Sequence, residues 1–238
     1  SCRYEPKGRF VFAGAQDFHV WRWDHAAGKK MQLKGADAWV RGIAFSPDGK
    51  TMITGGYDGR LLWWPLEGEK PERTVEAHTG WIMSVAISPD GKQIATTGND
   101  KLVKIWNFTD GKLLHTLKGH ESVVYNAVFH PQGQHLATAD LKCNVFVWEI
   151  NTGKLARKLK AEKMHSYDKT FKADIGGARS MSFNTDGTQL AIGGITNVTN
   201  AFACIGNPAV VVIDWKSGKN LIQHLAKETF KGVAWGIA

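Results

Sequence analysis

Nine histidines, three cysteines and twenty-two Asp and Glu residues are the groups in this 238-residue chain that could carry acid–base, nucleophilic or metal chemistry. Such chemistry needs an imidazole beside a nucleophile or carboxylate, or metal ligands at short, regular spacing. His19, His115, His135 and His224 alternate within strand-like patterns as ordinary residues do. No GxSxG, HExxH or GxxxxGK motif occurs, and Cys2, Cys143 and Cys204 show no paired spacing. The sequence therefore predicts no catalytic residue, no metal site and no cofactor. An odd number of thiols without a disulfide framework fits a reducing compartment, and the cytoplasm is the expected one, although Ser1 is not a start methionine and leaves room for a removed leader. No run of about 18 apolar residues is present, so no membrane-spanning helix is expected. One acid still invites a question: in "GNDKLVKIW", residues 98 to 106, Asp100 stands in a turn six positions before Trp106, and the pair could belong to a site or only to the scaffold.

The elements that must position these residues follow from a repeat. The turn "SPDG" begins at residues 46 and 88, "HPQG" follows at 130, and looser versions begin at 5 ("EPKG") and 184 ("NTDG"), giving intervals of 41, 42, 42 and 54. A second ladder runs in phase: Trp23, Trp64, Trp106 and Trp148 are 41, 42 and 42 residues apart, and Ile213 takes the matching place in the fifth unit. Within residues 81 to 117, "WIMSVAI", "KQIATTG", "KLVKIWNF" and "KLLHTLKG" read as four strands joined by turns in which Pro, Asn, Asp and Gly supply the backbone angles. Ten tryptophans, twenty-six glycines and few helix-period segments agree with an all-β chain. A four-stranded sheet of this kind cannot bury both faces alone and must stack against its neighbours.

These residues resemble the WD-repeat family of β-propellers. The resemblance rests on Gly119–His120, Ala77–His78 and Trp23–Asp24 together with the phased turns, and it extends over nearly the whole chain, best at residues 39 to 160. It implies a propeller of four-stranded antiparallel blades with five units, near 1–38, 39–80, 81–122, 123–178 and 179–231, while 232–238 ("GVAWGIA") would start a further strand. The expected whole is one domain or segment of a larger ring of about seven blades, with additional blades from the same or another chain; a five-bladed ring is the alternative. The resemblance also implies a buried network in each complete blade: His78, Thr96, Asp100 and Trp106 in the third unit, which alone has all four. The second has Thr54, Asp58 and Trp64, with Ala36 in the histidine place. The fourth has His120, Thr138 and Trp148, with Lys142 where the acid is expected, and the first keeps Asp17 and Trp23 but has Ala13 at the hydroxyl position. Because a reaction centre tolerates few missing members, these sets are expected to be structural staples rather than catalytic triads.

A non-enzymatic protein-interaction scaffold is thus the expected function. The family's binding face implies Trp39, Arg41, Tyr57, Trp81, Met83, Asn99, Tyr125 and Leu141 as partner-contacting residues, and aromatics, Met and Arg are enriched at interface cores. The bland alternative is that Trp39 and Trp81 only start their strands. The net charge of +8 and the basic run "KLARKLKAEKMHSYDKTFK" at 154 to 172 raise nucleic acid or another anionic surface as a second reading, but no nucleic-acid-reading pattern accompanies the run, which is expected to be an edge strand and its loop. A third reading is that the chain is a propeller domain of a larger enzyme or electron-transfer protein. Residues 194 to 208 break the repeat and are expected to form an irregular or functional loop.

Overall fold

The computed structural model describes residues 1–161, 163–200, 205–226 and 232. The described residues contain strands and no helix, arranged as five four-stranded antiparallel sheets and one two-stranded hairpin. The chain divides into two compact units, Ser1–Lys118 and Gly119–Ala238.

Three sheets make up the first unit. They comprise β1 (Cys2–Tyr4), β2 (Phe10–Gly14), β3 (Val20–Asp24) and β4 (Lys29–Leu33); β5 (Val40–Phe45), β6 (Thr51–Gly56), β7 (Arg60–Pro65) and β8 (Arg73–Glu76); and β9 (Ile82–Ile87), β10 (Gln93–Gly98), β11 (Val103–Asn107) and β12 (Leu113–Leu117). Each is a meander in sequence order. The inner strands β6 and β10 are buried nearly throughout, whereas the outer strands β8 and β12 alternate toward solvent. That difference was legible as apolar runs in the middle of each repeat and polar ones at its end. Ile53, Leu61 and Trp63 of the second sheet share one cluster with Ile82, Val85, Ile94 and Trp106 of the third, so neighbouring sheets bury each other's faces. Fully burying a side chain of this size contributes about 1.5–3 kcal/mol.

The repeated turn works the same way each time. Ser46 Oγ donates to Asp48 at 2.6 Å, as Ser88 Oγ does to Asp90 at 2.6 Å, and Gly49 and Gly91 adopt φ of 66° and 71°, a region that a residue with a Cβ seldom enters. These serine hydroxyl bonds hold the carboxyls of Asp48 and Asp90 below the ordinary carboxylate range.

The second unit holds β13 (Val124–Phe129), β14 (His135–Asp140), β15 (Asn144–Glu149) and β16 (Leu155–Lys160); a hairpin of β17 (His165–Asp168) and β18 (Ala173–Gly176); and β19 (Ala178–Phe183), β20 (Gln189–Asn200), β21 (Ile205–Asp214) and β22 (Asn220–Leu225). Its core gathers Val145, Leu190, Ile192, Val211 and Ile213, with Ile213 buried in the place that tryptophan holds elsewhere. Cys143 lies in this core, and burial pushes its thiol up to about 12, which leaves it unreactive.

Two expectations change here. The long fourth interval does not come from a loop after the basic edge strand: β16 is that edge strand, and the β17–β18 hairpin follows it, with Tyr167 paired to Asp174. The described part of 194 to 208, residues 194–200 and 205–208, is strand and not irregular loop. β20 and β21 run on past the normal strand length, pairing Ile195 with Pro208 and Thr196 with Asn207, because β-branched residues can extend the ladder and so satisfy the backbone. Buried Ile195 and Thr196, whose hydroxyl donates to the Lys163 carbonyl, anchor this extension beside the extra hairpin. Residues 201–204, including Cys204, and all but Gly232 of the further strand expected at 232–238 lie outside the described residues.

Candidate functional site

Two constellations combine groups with chemical potential: the buried staples and an exposed aromatic strip. In the third sheet, Trp106 Nε1 donates to Thr96 Oγ1 at 2.9 Å, Thr96 lies 2.8 Å from His78 Nε2, and His78 Nδ1 lies 2.9 Å from Asp100 Oδ2. Leu102 N–H donates to Asp100 Oδ1 at 3.1 Å. One proton arrangement satisfies the chain: Thr96 accepts from the indole and donates to Nε2, and Nδ1–H donates to the carboxylate. The strand ladder sets this up, since Thr96 on β10 is paired beside β11, which carries Trp106, and the turn between those strands carries Asp100.

The fourth sheet repeats the network with an acid that sequence spacing missed. His120 Nδ1 meets Asp140 Oδ2 at 2.9 Å, His120 Nε2 meets Thr138 Oγ1 at 2.8 Å, and Trp148 Nε1 donates to Thr138 Oγ1 at 2.8 Å. Asn144 donates to Asp140 from its backbone at 3.0 Å and from Nδ2 at 3.0 Å. The third unit is therefore not alone in holding all four groups. Lys142 replaces the acid only in spacing; its ammonium pairs with Asp174 at 3.5 Å. The available signal was the lone acid in "TADLKCN", two residues after the hydroxyl.

The other two sets are partial. Trp64 Nε1 donates to Thr54 Oγ1 at 2.8 Å, and in the absence of a histidine Asp58 accepts from Arg60 Nε at 3.1 Å and Nη2 at 3.0 Å. In the first sheet Asp17 and Trp23 do not meet. Asp17 accepts instead from Trp21 Nε1 at 2.9 Å, and Trp23 stacks on Trp21 with centroids 6.2 Å apart, because Ala13 offers the indole no hydroxyl.

Hydroxyl, imidazole and carboxylate in series are the parts of a nucleophilic triad, but Thr96 and Thr138 are 0% exposed and each oxygen already accepts an indole N–H. No substrate atom can approach them, so the arrangement holds strands together instead of activating a nucleophile. Among the described residues no group of three or more His, Cys, Asp or Glu side chains is placed to hold a metal. Burial alone would push the carboxyls of Asp100 and Asp140 up, yet the bonds from His78 to the first and from His120 and Asn144 to the second outweigh it and leave both below the ordinary value. A depressed folded-state value means that the contribution to stability is complete above the unfolded carboxylate pKa, roughly 4, and is lost as pH falls through the lower folded-state value. Urea midpoints measured from pH 6 downward are therefore expected to hold until about pH 4 and then drop; Asp100→Asn and Asp140→Asn should flatten that drop.

The aromatic strip lies on the first unit. Trp39 immediately precedes β5, Tyr57 follows β6 and Trp81 immediately precedes β9. The Trp39 and Tyr57 rings lie 5.4 Å apart at 27°, and those of Tyr57 and Trp81 lie 4.5 Å apart at 5°. Backbone bonds fix their bases: Tyr57 N–H donates to the Trp39 carbonyl at 2.9 Å, and Asn99 N–H donates to that of Trp81 at 3.0 Å. Trp39 and Trp81 remain 40% and 48% exposed and Tyr57 between them is half-buried, so the stack is open at both ends. Arg41 Nε donates to the Met83 carbonyl at 3.2 Å, and Met83 itself is buried, 7% exposed. Asn99 is half-buried, with Oδ1 enclosed. Tyr125 and Leu141 belong to the second unit, where the Arg179 guanidinium stands 4.3 Å from the Tyr125 ring centroid and Leu141 N–H donates to the Val123 carbonyl at 2.9 Å.

The family model described as "WD domain, G-beta repeat" matches residues 28–65, 69–107 and 111–149. Each matched stretch closes one residue past a staple tryptophan, namely Trp64, Trp106 and Trp148. The chain belongs to the WD-repeat family. Part of this WD-repeat chain is 34% identical over 65 residues to the serine-threonine kinase receptor-associated protein of Bos taurus, covering 27% of this chain and 19% of that protein. It is 44% identical over 48 residues to the nuclear distribution protein PAC1 of Mycosarcoma maydis, covering 20% and 11%. It is 34% identical over 70 residues to the nuclear distribution protein nudF of Aspergillus niger, covering 29% and 16%. The WD-repeat chain thus spans under a fifth of the length of these relatives in the matched regions. Its four-stranded sheets have the form of WD-repeat blades, and no helix of the described residues is long and apolar enough to cross a membrane.

Proposed function

We propose that the chain is a non-enzymatic scaffold that binds a protein partner on the strip formed by Trp39, Tyr57 and Trp81. The observation that carries this reading is the continuous stack of three rings left open at strand starts and turns. Burying such rings in the core would have been favourable, so rings held exposed by their own backbone bonds point to an occupant. Flat aromatic faces accept an apolar side chain or the guanidinium of a partner's arginine. Asn99 lies beside Trp81 through the backbone bond, and Arg41 is tied by its bond to the Met83 carbonyl to the strand that Trp81 precedes. The names of the relatives, a receptor-associated protein and nuclear distribution proteins, agree with a role in assembly rather than catalysis. The closed staples fit that role, since their hydroxyls are out of reach.

Affinity capture from the native source with the full-length protein tests this. The Trp39→Ala, Trp81→Ala double variant is expected to lose the partner, each ring being worth about 2 kcal/mol or more if it is a central anchor. Undiminished capture by a folded double variant would count against the strip.

A further inference from the structure

The second unit carries a different surface, and its argument does not depend on the aromatic strip. Among the described residues β16 and β22 are each the outer strand of a sheet, paired to β15 and β21 respectively and to no other strand. Both line a groove of about 860 Å³, into which the turn before β22 closes so tightly that a Cβ on Gly218 would stand 2.7 Å from Leu159 Cδ2. Its walls include Lys158, Lys160 and Lys219 and no carboxylate. Among the described residues none of the three ammonium groups has a carboxylate partner. Lys158 is held above the Phe146 ring at 4.9 Å, which limits where its charge can move. Arg157 is spent elsewhere, donating from Nη1 to the carbonyls of Trp215 at 2.7 Å and Lys216 at 3.1 Å, so the lysines alone set the field.

Charge is only part of the lining. Leu159, on the opposite face of β16 from Lys158 and Lys160, gives it an apolar wall, and Leu221 and Ile222 of β22 are exposed nearby. An occupant should therefore bring negative charge and apolar side chains together. We propose that this groove binds an acidic polypeptide segment in extended form, its carboxylates on Lys158, Lys160 and Lys219 and its apolar side chains on Leu159. An extended segment can also pair its main chain with an unpaired strand edge. A polynucleotide would satisfy the lysines, but it leaves Leu159 and the strand edges of β16 and β22 unused.

Fluorescence anisotropy of the full chain tests the proposal with three labelled probes: a peptide alternating Glu and Val, one alternating Lys and Val, and single-stranded oligothymidine of the same charge as the first. The Glu–Val peptide is expected to bind, with the other two weaker. Lys158→Glu, Lys160→Glu and Lys219→Glu combined should weaken it by on the order of 100-fold. Should that triple variant fail to fold by circular dichroism, the Gln version of the same three changes carries the test, with a smaller loss. Absence of Glu–Val binding, tighter binding of the oligonucleotide, or unchanged affinity in the folded variant would overturn the proposal.

Discussion

Replacing Asp140 by alanine is expected to destabilise the chain by on the order of 3 kcal/mol, and replacing Lys142 by alanine by less than about 1 kcal/mol. Asp140 is 0% exposed and accepts from His120 and from two nitrogens of Asn144. Truncation leaves the imidazole N–H and the Asn144 amide enclosed with no acceptor, and such groups carry their full desolvation cost. The effect spreads along the chain of bonds, since His120 also orients Thr138, which receives the Trp148 indole. Lys142 makes one long, partly exposed ion pair with Asp174, which water and salt weaken. Thermal unfolding separates the two cases: for a chain of this size Asp140→Ala should lower Tm by roughly 6–12 °C. Equal effects of the two substitutions would show that the acid of the fourth staple had been misassigned.

Gly98→Ala should be nearly as damaging, by about 2–3 kcal/mol, without removing any hydrogen-bonding group. A Cβ at residue 98 would stand 2.5 Å from Asp100 Oδ1 and 2.6 Å from His78 Nδ1, inside the hydrogen bond itself. The fourth sheet explains why this position is so crowded. Lys101 and Cys143 share a left-handed φ, 67° and 61°, which aligns the two turns and places Gly98 opposite Asp140. In one turn the acid reaches back from two residues later over a glycine; in the other the acid grows from that same backbone position. Gly98→Asp combined with Asp100→Lys transfers the second arrangement into the third sheet and is expected to recover most of the stability that Gly98→Ala loses. Urea unfolding of the two variants beside the parent chain measures this. A double variant no more stable than Gly98→Ala would reject the equivalence of the two turns.

Much of this was readable in advance. The meander order of each sheet, the serine-capped turns and the tryptophan near the end of the third strand are properties of short stretches, in which alternation and turn chemistry act between neighbours. The irregular parts were harder. The β17–β18 hairpin lies inside a lysine-rich run whose composition also suits a loop, and its four-residue strands carry too little apolar alternation to stand out. The extension of β20 and β21 was obscured by Asn and Gly residues, which signal turns locally although the ladder accommodates them here.

The staples and the strip divide along the same line. The phased turns and tryptophans carried the family resemblance, and that resemblance implied a histidine, a hydroxyl and a tryptophan in each of two blades, each at a set position on or beside a strand whose pairing is local. Which acid closes the fourth staple, that Met83 is buried, and that Trp39, Tyr57 and Trp81 stack on one another were decided only in three dimensions. Those outcomes depend on where Cβ points from strands and turns distant in sequence, and on which side chain is long enough to reach. A one-residue change in direction exchanges core for surface, and spacing along the chain does not record it.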